Sequence, residues 1–262
     1  MNGRALAIVI LLVGSTLLPG LSYSQTLKAC GHPFYPPVSW VDDEKLIGLA
    51  PAVTQQLFAE LGYTIQLRSG YNWKRCLLEV EQGNADIVVA AYRIPSRDQF
   101  LWFTSQPVIA DPVALFINQN HRFPFKRLQD LRGKVAGLLL GDSFGEKFDY
   151  FLRHNNRIEY VSRNQQNFEK LARNRIDFMP IGLLSGELQS RKLGFHKQIV
   201  PLDYRVSTEF YFLAIGQKSG LKQHLPRLNQ RLQEMHNDGT IQRLTEKYSL
   251  IYLDTPNQDS TE

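Results

Sequence analysis

Three sets of residues in this 262-residue chain have types and spacing that could do chemistry. The first is aromatic. Tyr35, Trp40, Tyr71, Trp73 and Tyr92 each fall at or near the carboxyl end of an expected strand. Open α/β sheets bind ligands beyond those ends, and aromatic faces there can sandwich a planar or apolar group. Packing explains most aromatics, and the clustering at strand ends singles out Tyr35 and Trp73. The second is Arg97, in Arg93-Ile94-Pro95-Ser96-Arg97 directly after a strand. A guanidinium fork in that position is shaped for a carboxylate; a solvated surface arginine is the plainer alternative. The third is Gly141-Asp142-Ser143-Phe144-Gly145, between a strand and a helix. Its backbone N–H groups could hold an anion at the helix N-terminus. It also fits the G-x-S-x-G nucleophile elbow of serine hydrolases, with Ser143 as nucleophile, although no glycine-rich stretch upstream offers an oxyanion hole. Ser143 as a simple N-cap is the plainer role.

The elements that must position these residues follow from hydrophobic period. A strand is expected over 27–30, then a Pro-rich loop over 32–40. Leu49, Val53, Leu57, Phe58 and Leu61 recur every three or four positions, which predicts a helix over about 49–61 ended by Gly62. Residues 64–68 alternate as a strand, 73–82 read as a helix, and 85–91 form an apolar run buried on both faces. The same alternation returns as strand 134–140, helix 144–154, strand 158–161, helix 167–174 and strand 176–181. Strands alternating with helices predict parallel sheets covered by helices, and two such runs predict two α/β lobes. The expected division is 25–108 for the first lobe and 109–210 for the second with its flanking strands. Residues 211–262 then return to the first lobe. Extended apolar segments at 107–118 and 209–215 would cross between lobes. Leu221, Leu225, Leu228, Leu232 and Met235 step by three and four, so the tail is helical. Asn237-Asp238-Gly239-Thr240 breaks it and caps a last helix, and the chain turns polar after Leu253.

The amino-terminal residues speak to compartment. Arg4 precedes an uncharged apolar run over 5–21, and Ser22-Tyr23-Ser24 supplies small residues for a cut after Ser24. That is the pattern of a cleaved secretory signal, which places the protein in the periplasm. Gly14, Pro19 and Gly20 interrupt the run, which sits at the short edge of the ~17–25 residues a spanning helix needs. Thirty basic against 25 acidic residues give a net charge of +5, spread along the chain, so no nucleic-acid surface is expected. The six histidines show no metal-site spacing, and nothing asks for a cofactor. In an oxidising compartment the two cysteines, Cys30 and Cys76, favour a bridge; two buried free thiols are the alternative.

Seven short motifs in order carry a resemblance. Tyr35-Pro36-Pro37 precedes an acidic turn and Leu46-Ile47-Gly48-Leu49; Leu61-Gly62 closes the helix. Trp73-Lys74-Arg75 and Gly83-Asn84-Ala85-Asp86 follow, then Pro95-Ser96-Arg97 with Phe103-Thr104-Ser105-Gln106-Pro107. A d-L-k-G-k-like stretch over 128–134 and Asp238-Gly239-Thr240-Ile241 with Lys247-Tyr248 complete the set. Over about 27–250 the chain resembles the extracellular solute-binding proteins of family 3, which serve ABC importers of polar amino acids. The resemblance implies a Venus-flytrap fold with the ligand between lobes and a hinge at two crossing strands, near 108–112 and 207–211. Tyr35 and Trp73 would flank the ligand beside Tyr92, Arg97 would hold an α-carboxylate, and Ser143 and Phe144 would supply hydrogen bonds from the second lobe. Two positions depart from the pattern: Ile94 replaces a threonine, and Gly182 stands where the family has the aspartate for the ligand's amino group. A buried ammonium without a carboxylate is costly, so a carboxylate lacking an amine or a larger polar solute fits as well as an amino acid.

These readings converge on a monomeric, non-enzymatic binding protein. It captures a small polar, carboxylate-bearing solute and hands it to a membrane permease or receptor. The alternatives are a hydrolase built on the Gly141–Gly145 turn, a dehydratase with Glu209 as acid, and a ligand sensor without transport.

Overall fold

The computed structural model describes residues 25–256; the expected signal over 1–24 lies outside them. The first strand, β1 (Thr26–Cys30), leads into the Pro-rich segment. There the chain makes a small antiparallel meander, β2 (Phe34–Tyr35), β3 (Ser39–Asp42) and β4 (Lys45–Ile47), instead of the expected open loop. Asp43 and Glu44, both with positive φ between the paired Asp42 and Lys45, form its two-residue hairpin turn. Helix α1 (Leu49–Ala59) buries Leu49, Val53, Leu57 and Phe58, the stripe its period predicts. Then come β5 (Thr64–Arg68), α2 (Trp73–Gln82) and the fully buried β6 (Ile87–Tyr92). Helix α2 is bounded as its sequence dictates: the Asn72 side chain accepts from Arg75 N–H at 2.8 Å, and Gly83 closes it in the left-handed region.

A short turn of helix α3 (Pro95–Asp98) and strand β7 (Leu101–Phe103) precede β8 (Ile109–Asn118). The second run follows: β9 (Val135–Leu139), α4 (Glu146–Asn155), β10 (Arg157–Val161), α5 (Asn164–Ala172), β11 (Met179–Gly182) and α6 (Leu183–Lys192). The chain ends in β12 (Ile199–Gly216), α7 (Leu225–Asn237) and α8 (Thr240–Asp254).

Strands β5, β1 and β6 pair in parallel, as do β9 and β10, so each run builds the parallel sheet its alternation implies. The two runs form the two lobes of the fold. Strand β12 is the long connector. It pairs antiparallel with β6 and β7 at one end and with β8 along much of its length, while β8 also carries β11. A single path β11-β8-β12-β6-β1-β5 therefore links both lobes through a continuous ladder. Strand β12 starts about ten residues before the expected segment, because its early half, with Asp203 and Arg205, lies along β8 with irregular register.

Cys30 on β1 and Cys76 on α2 form a disulfide, with Cα atoms 5.7 Å apart. Trp73, Val80, Val88, Ala91, Leu101 and Ala214 pack around it as a satellite core, apart from the main one. No helix among the described residues is long and apolar enough to cross a membrane.

Candidate functional site

The strand ends bring Tyr35, Trp73, Tyr92 and Arg97 together against residues of the second run. All four are buried. Tyr35 lies at the end of β2 and Tyr92 at the end of β6; their hydroxyls meet at 3.2 Å. The Tyr35 hydroxyl also receives the Gly182 N–H at 3.0 Å, so one phenol joins β2 to the end of β11. Gly182 has no room for a side chain: a Cβ there would run into the Tyr35 hydroxyl and the carboxylate of Asp111.

Arg97 extends back from α3. Its Nη1 donates to the Tyr92 carbonyl at 2.9 Å and its Nη2 reaches the Gly141 carbonyl at a long 3.5 Å. The guanidinium carbon lies 5.3 Å from the centre of the Trp73 ring, a cation–π arrangement. Among the described residues no carboxylate is within ion-pair distance of it. Burial lowers its pKa from the ordinary value, and the more distant Asp142 only partly opposes that. Gly141, with φ of 91°, supplies a turn conformation that side chains resist, and a Cβ there would sit 3.2 Å from the Trp73 ring.

The turn over 141–145 is arranged differently from both of its sharp readings. Asp149 of α4 folds back on it. Its carboxylate accepts the Ser143 hydroxyl, and the Phe144 N–H donates to it at 2.9 Å. One donor of the expected anion cradle is thus already taken. Ser143 donates to an aspartate, and among the described residues no histidine bonds to it, so the turn does not form the Ser–His pair of a serine hydrolase. Gly145, not Ser143, is the N-cap of α4. The Phe144 ring is core, packed near Phe148. Of the other aromatics, Trp40 packs edge-on against Tyr248 and Tyr252 of α8, and Tyr71 borders the satellite core.

Residues outside the expected set complete the cluster. Tyr211 on β12 packs against Tyr35 and Tyr92, with ring centres 5.0 and 4.2 Å away. Asp111 on β8 accepts from Leu184 N–H at 3.0 Å and from the Tyr35 hydroxyl at 3.4 Å. Burial pushes its carboxyl up to about 6, and the three phenols are likewise raised by burial. His32 takes the Phe34 N–H on Nδ1 at 3.0 Å, leaving Nε2 to face Asp142 at 3.4 Å across the cleft. The signal for Asp111 was present in the sequence, as a lone acid inside an apolar strand. Glu209 pairs with Asp111 in backbone register on β12. A groove of about 750 Å³ runs along Phe34 between the lobes, with Tyr71, Asn72, Asn164 and Gln189 in its walls.

Tyr35, Trp73, Tyr92, Tyr211 and Arg97 do not line that groove but lie buried beside it, where the two lobes meet; two α/β lobes sharing crossing strands and closing on such a cluster have the layout of a solute-binding protein. Residues 27–251 match the bacterial extracellular solute-binding proteins, family 3, and the chain belongs to that family. The L-cystine-binding protein TcyJ of Escherichia coli K12 is 25% identical over 218 residues, 82% of this chain and 79% of that protein. In fold the chain is similar to the arginine-bound amino acid ABC transporter substrate-binding protein AbpA of Streptococcus pneumoniae. There the TM-score is 0.75 at 17% identity, over 88% of this chain and 97% of that one. A histidine kinase sensor domain with similarity to periplasmic binding proteins shares the fold at TM-score 0.73 and 20% identity, over 86% and 96% of the two chains.

Proposed function

We propose that this protein is an exported, periplasmic solute receptor that captures a small carboxylate-bearing solute between its lobes and delivers it to an ABC importer. The observation that carries the reading is Arg97: a buried guanidinium where the lobes meet, over the Trp73 ring and holding only the carbonyl oxygens of Tyr92 and Gly141. Leaving such a charge without an anion costs several kcal/mol, and a solute carboxylate would remove that cost. The family membership supports solute capture, and the cystine and arginine binders among its relatives and neighbours favour a carboxylate.

In this reading Tyr35 and Trp73 flank the solute. The division 25–108, 109–210 and 211–262 defines lobes that rotate about the paired stretch Ile109–Pro112 with Thr208–Tyr211. Ligand shifts the equilibrium to the closed form by touching both lobes at once. Binding rather than catalysis is favoured because Ser143 is tied to Asp149, which also takes the Phe144 N–H, and has no histidine partner among the described residues.

A thermal-shift screen of the mature chain against amino acids, small carboxylates, amines and short peptides tests the reading. Ligand at 100 times Kd adds about 2.7 kcal/mol to the stability of the folded state, a clear rise in Tm. The expected result is a rise with carboxylate-bearing probes that falls away in Arg97→Ala, with affinity reduced about 100-fold or more. Unchanged affinity in that variant would remove Arg97 from the site.

A further inference from the structure

The excess of positive charge is not shared evenly by the two lobes. Residues 109–210 hold 16 Lys and Arg against 11 Asp and Glu, whereas residues 25–108 and 211–262 together hold 13 against 14. The fold gathers the excess further. Three stretches meet beyond the end of β8: residues 118–122, residues 172–175 at the end of α5, and residues 196–198 before β12. The Asn118 side chain donates to the Asn174 side-chain oxygen at 2.8 Å and to the Leu171 carbonyl at 3.2 Å. The Gln119 N–H donates to the Gln198 carbonyl at 2.8 Å, and the Gln198 side chain to the Ala172 carbonyl at 2.9 Å. These bonds tie the stretches to one another. Arg122, Arg173, Arg175 and Lys197 stand exposed on them, as do His121 and His196. No Asp or Glu occurs in any of the three. Among the described residues none of the four cations has an ion pair or a side-chain hydrogen bond. Residues 123–134 extend the same character, with Lys126, Arg127, Arg132 and Lys134 against the single acid Asp130, which pairs with Arg127.

Like charges on stretches tied together repel, and a polyanion removes that cost. The chemistry of the patch selects the polyanion. A protein interface centres on apolar and aromatic anchors. Among the described residues none of the large exposed hydrophobic side chains, Leu78, Leu140, Tyr150, Tyr160, Phe210 and Leu250, falls in the patch. Single-stranded nucleic acid needs exposed aromatic faces for its bases, which the patch likewise lacks. Guanidinium forks suit phosphate, and a plane of phosphates meets several of them at once.

We propose that this face of the second lobe docks the protein on the phosphate headgroups of an anionic lipid bilayer. The inference goes beyond solute capture. It takes its setting from the proposed export and uses neither Arg97 nor the identity of the solute. Asn118 lies about 20 Å along β8 from Pro112, so a lobe held there leaves the proposed hinge stretch free to rotate.

Flotation of the mature chain with vesicles at low salt is the test. The wild type should float with equimolar phosphatidylglycerol and phosphatidylcholine and stay behind with phosphatidylcholine alone. It should be released at about 1 M salt, where the screening length falls to about 3 Å. Each cation near an anionic surface is worth about fivefold in affinity, so Arg122→Gln with Arg173→Gln, Arg175→Gln and Lys197→Gln should weaken binding by roughly 100-fold or more. Lys45→Gln with Lys218→Gln, Arg227→Gln and Lys247→Gln removes the same charge from exposed positions elsewhere and should stay within about threefold of wild type. Where the first variant does not fold, Arg173→Gln with Arg175→Gln takes its place, with a loss of about 25-fold. Equal loss in the patch variant and the comparison variant would reduce the effect to net charge and overturn the proposal. Wild type that floats equally with both vesicles, or with neither, also overturns it. Release by millimolar inorganic phosphate would assign the patch to the free anion, and retention on polyglutamate without flotation to an acidic protein; either result removes the membrane assignment. Flotation is read on purified protein, so it is decided apart from export and from solute capture.

Discussion

At Asp111 the ionisation is set by desolvation, since its partners are backbone N–H groups and a phenol. Its carboxyl titrates near 6 in the folded state against 3.8 ordinarily, so the folded protein binds the proton more tightly. Stability from this group is therefore greatest below about pH 4, falls as the pH rises from about 4 to 6, and is level above that. The difference corresponds to about 3 kcal/mol. Urea unfolding of the wild type and Asp111→Asn at pH 7.5 and pH 4 checks it. The wild type should gain about 2 kcal/mol on the variant at the lower pH, most of the full difference, since pH 4 still lies just above the unfolded value. A difference between the two proteins that is the same at both pH values would contradict the burial argument. Gly182 poses the matching steric question. Gly182→Ala should cost about 1–3 kcal/mol by forcing Asp111 and Tyr35 aside, read from the same unfolding curves.

Among the elements, β1 and α2 are joined by the Cys30–Cys76 bridge, which closes a loop with sequence separation 46. Chain-entropy reasoning assigns such a loop about 4 kcal/mol. Replacing both cysteines with alanine should lower the unfolding free energy by up to about that amount, measured by denaturant titration. Unchanged stability would mean the satellite core holds α2 unaided. Most elements were legible because burial imposes a period: α1 shows its stripe, β6 its unbroken apolar run, and α2 its Asn72 and Gly83 boundaries. Helix α6 was not, since Leu183, Leu184 and Leu188 are too few to mark a face. The meander β2–β4 was hidden by its prolines and held by short backbone pairing. That Tyr35, Trp73, Tyr92 and Arg97 gather in one buried cluster was legible because all four fall at or near strand ends. Asp111 and Tyr211 fall on the expected crossing segments, and their place in the cluster was not legible. Strand alternation says which way a residue points, and only the pairing of β8 with β12 brings both beside Tyr35.

For the molecule as a whole, the two lobes touch through contacts of Tyr35 with Gly182, Arg97 with Gly141, His32 with Asp142, and Asn164 and Gln189 with the Phe34 carbonyl. Each joins the β1–β6 side to the β9–α6 side, so the proposed hinge opening would break them together, and a solute that replaced them would favour the closed form. Trp73 sits on Arg97 at the centre of this interface and reports directly on it. The chain has three tryptophans, so Trp40→Phe with Trp102→Phe leaves Trp73 as the single reporter. Fluorescence titration of that protein with the amino acids and carboxylates above is the most direct test of solute capture at Arg97. The account predicts a saturable change in Trp73 emission that disappears in Arg97→Ala. Saturable binding by calorimetry with Trp73 emission unmoved would contradict it and put the solute elsewhere on the molecule.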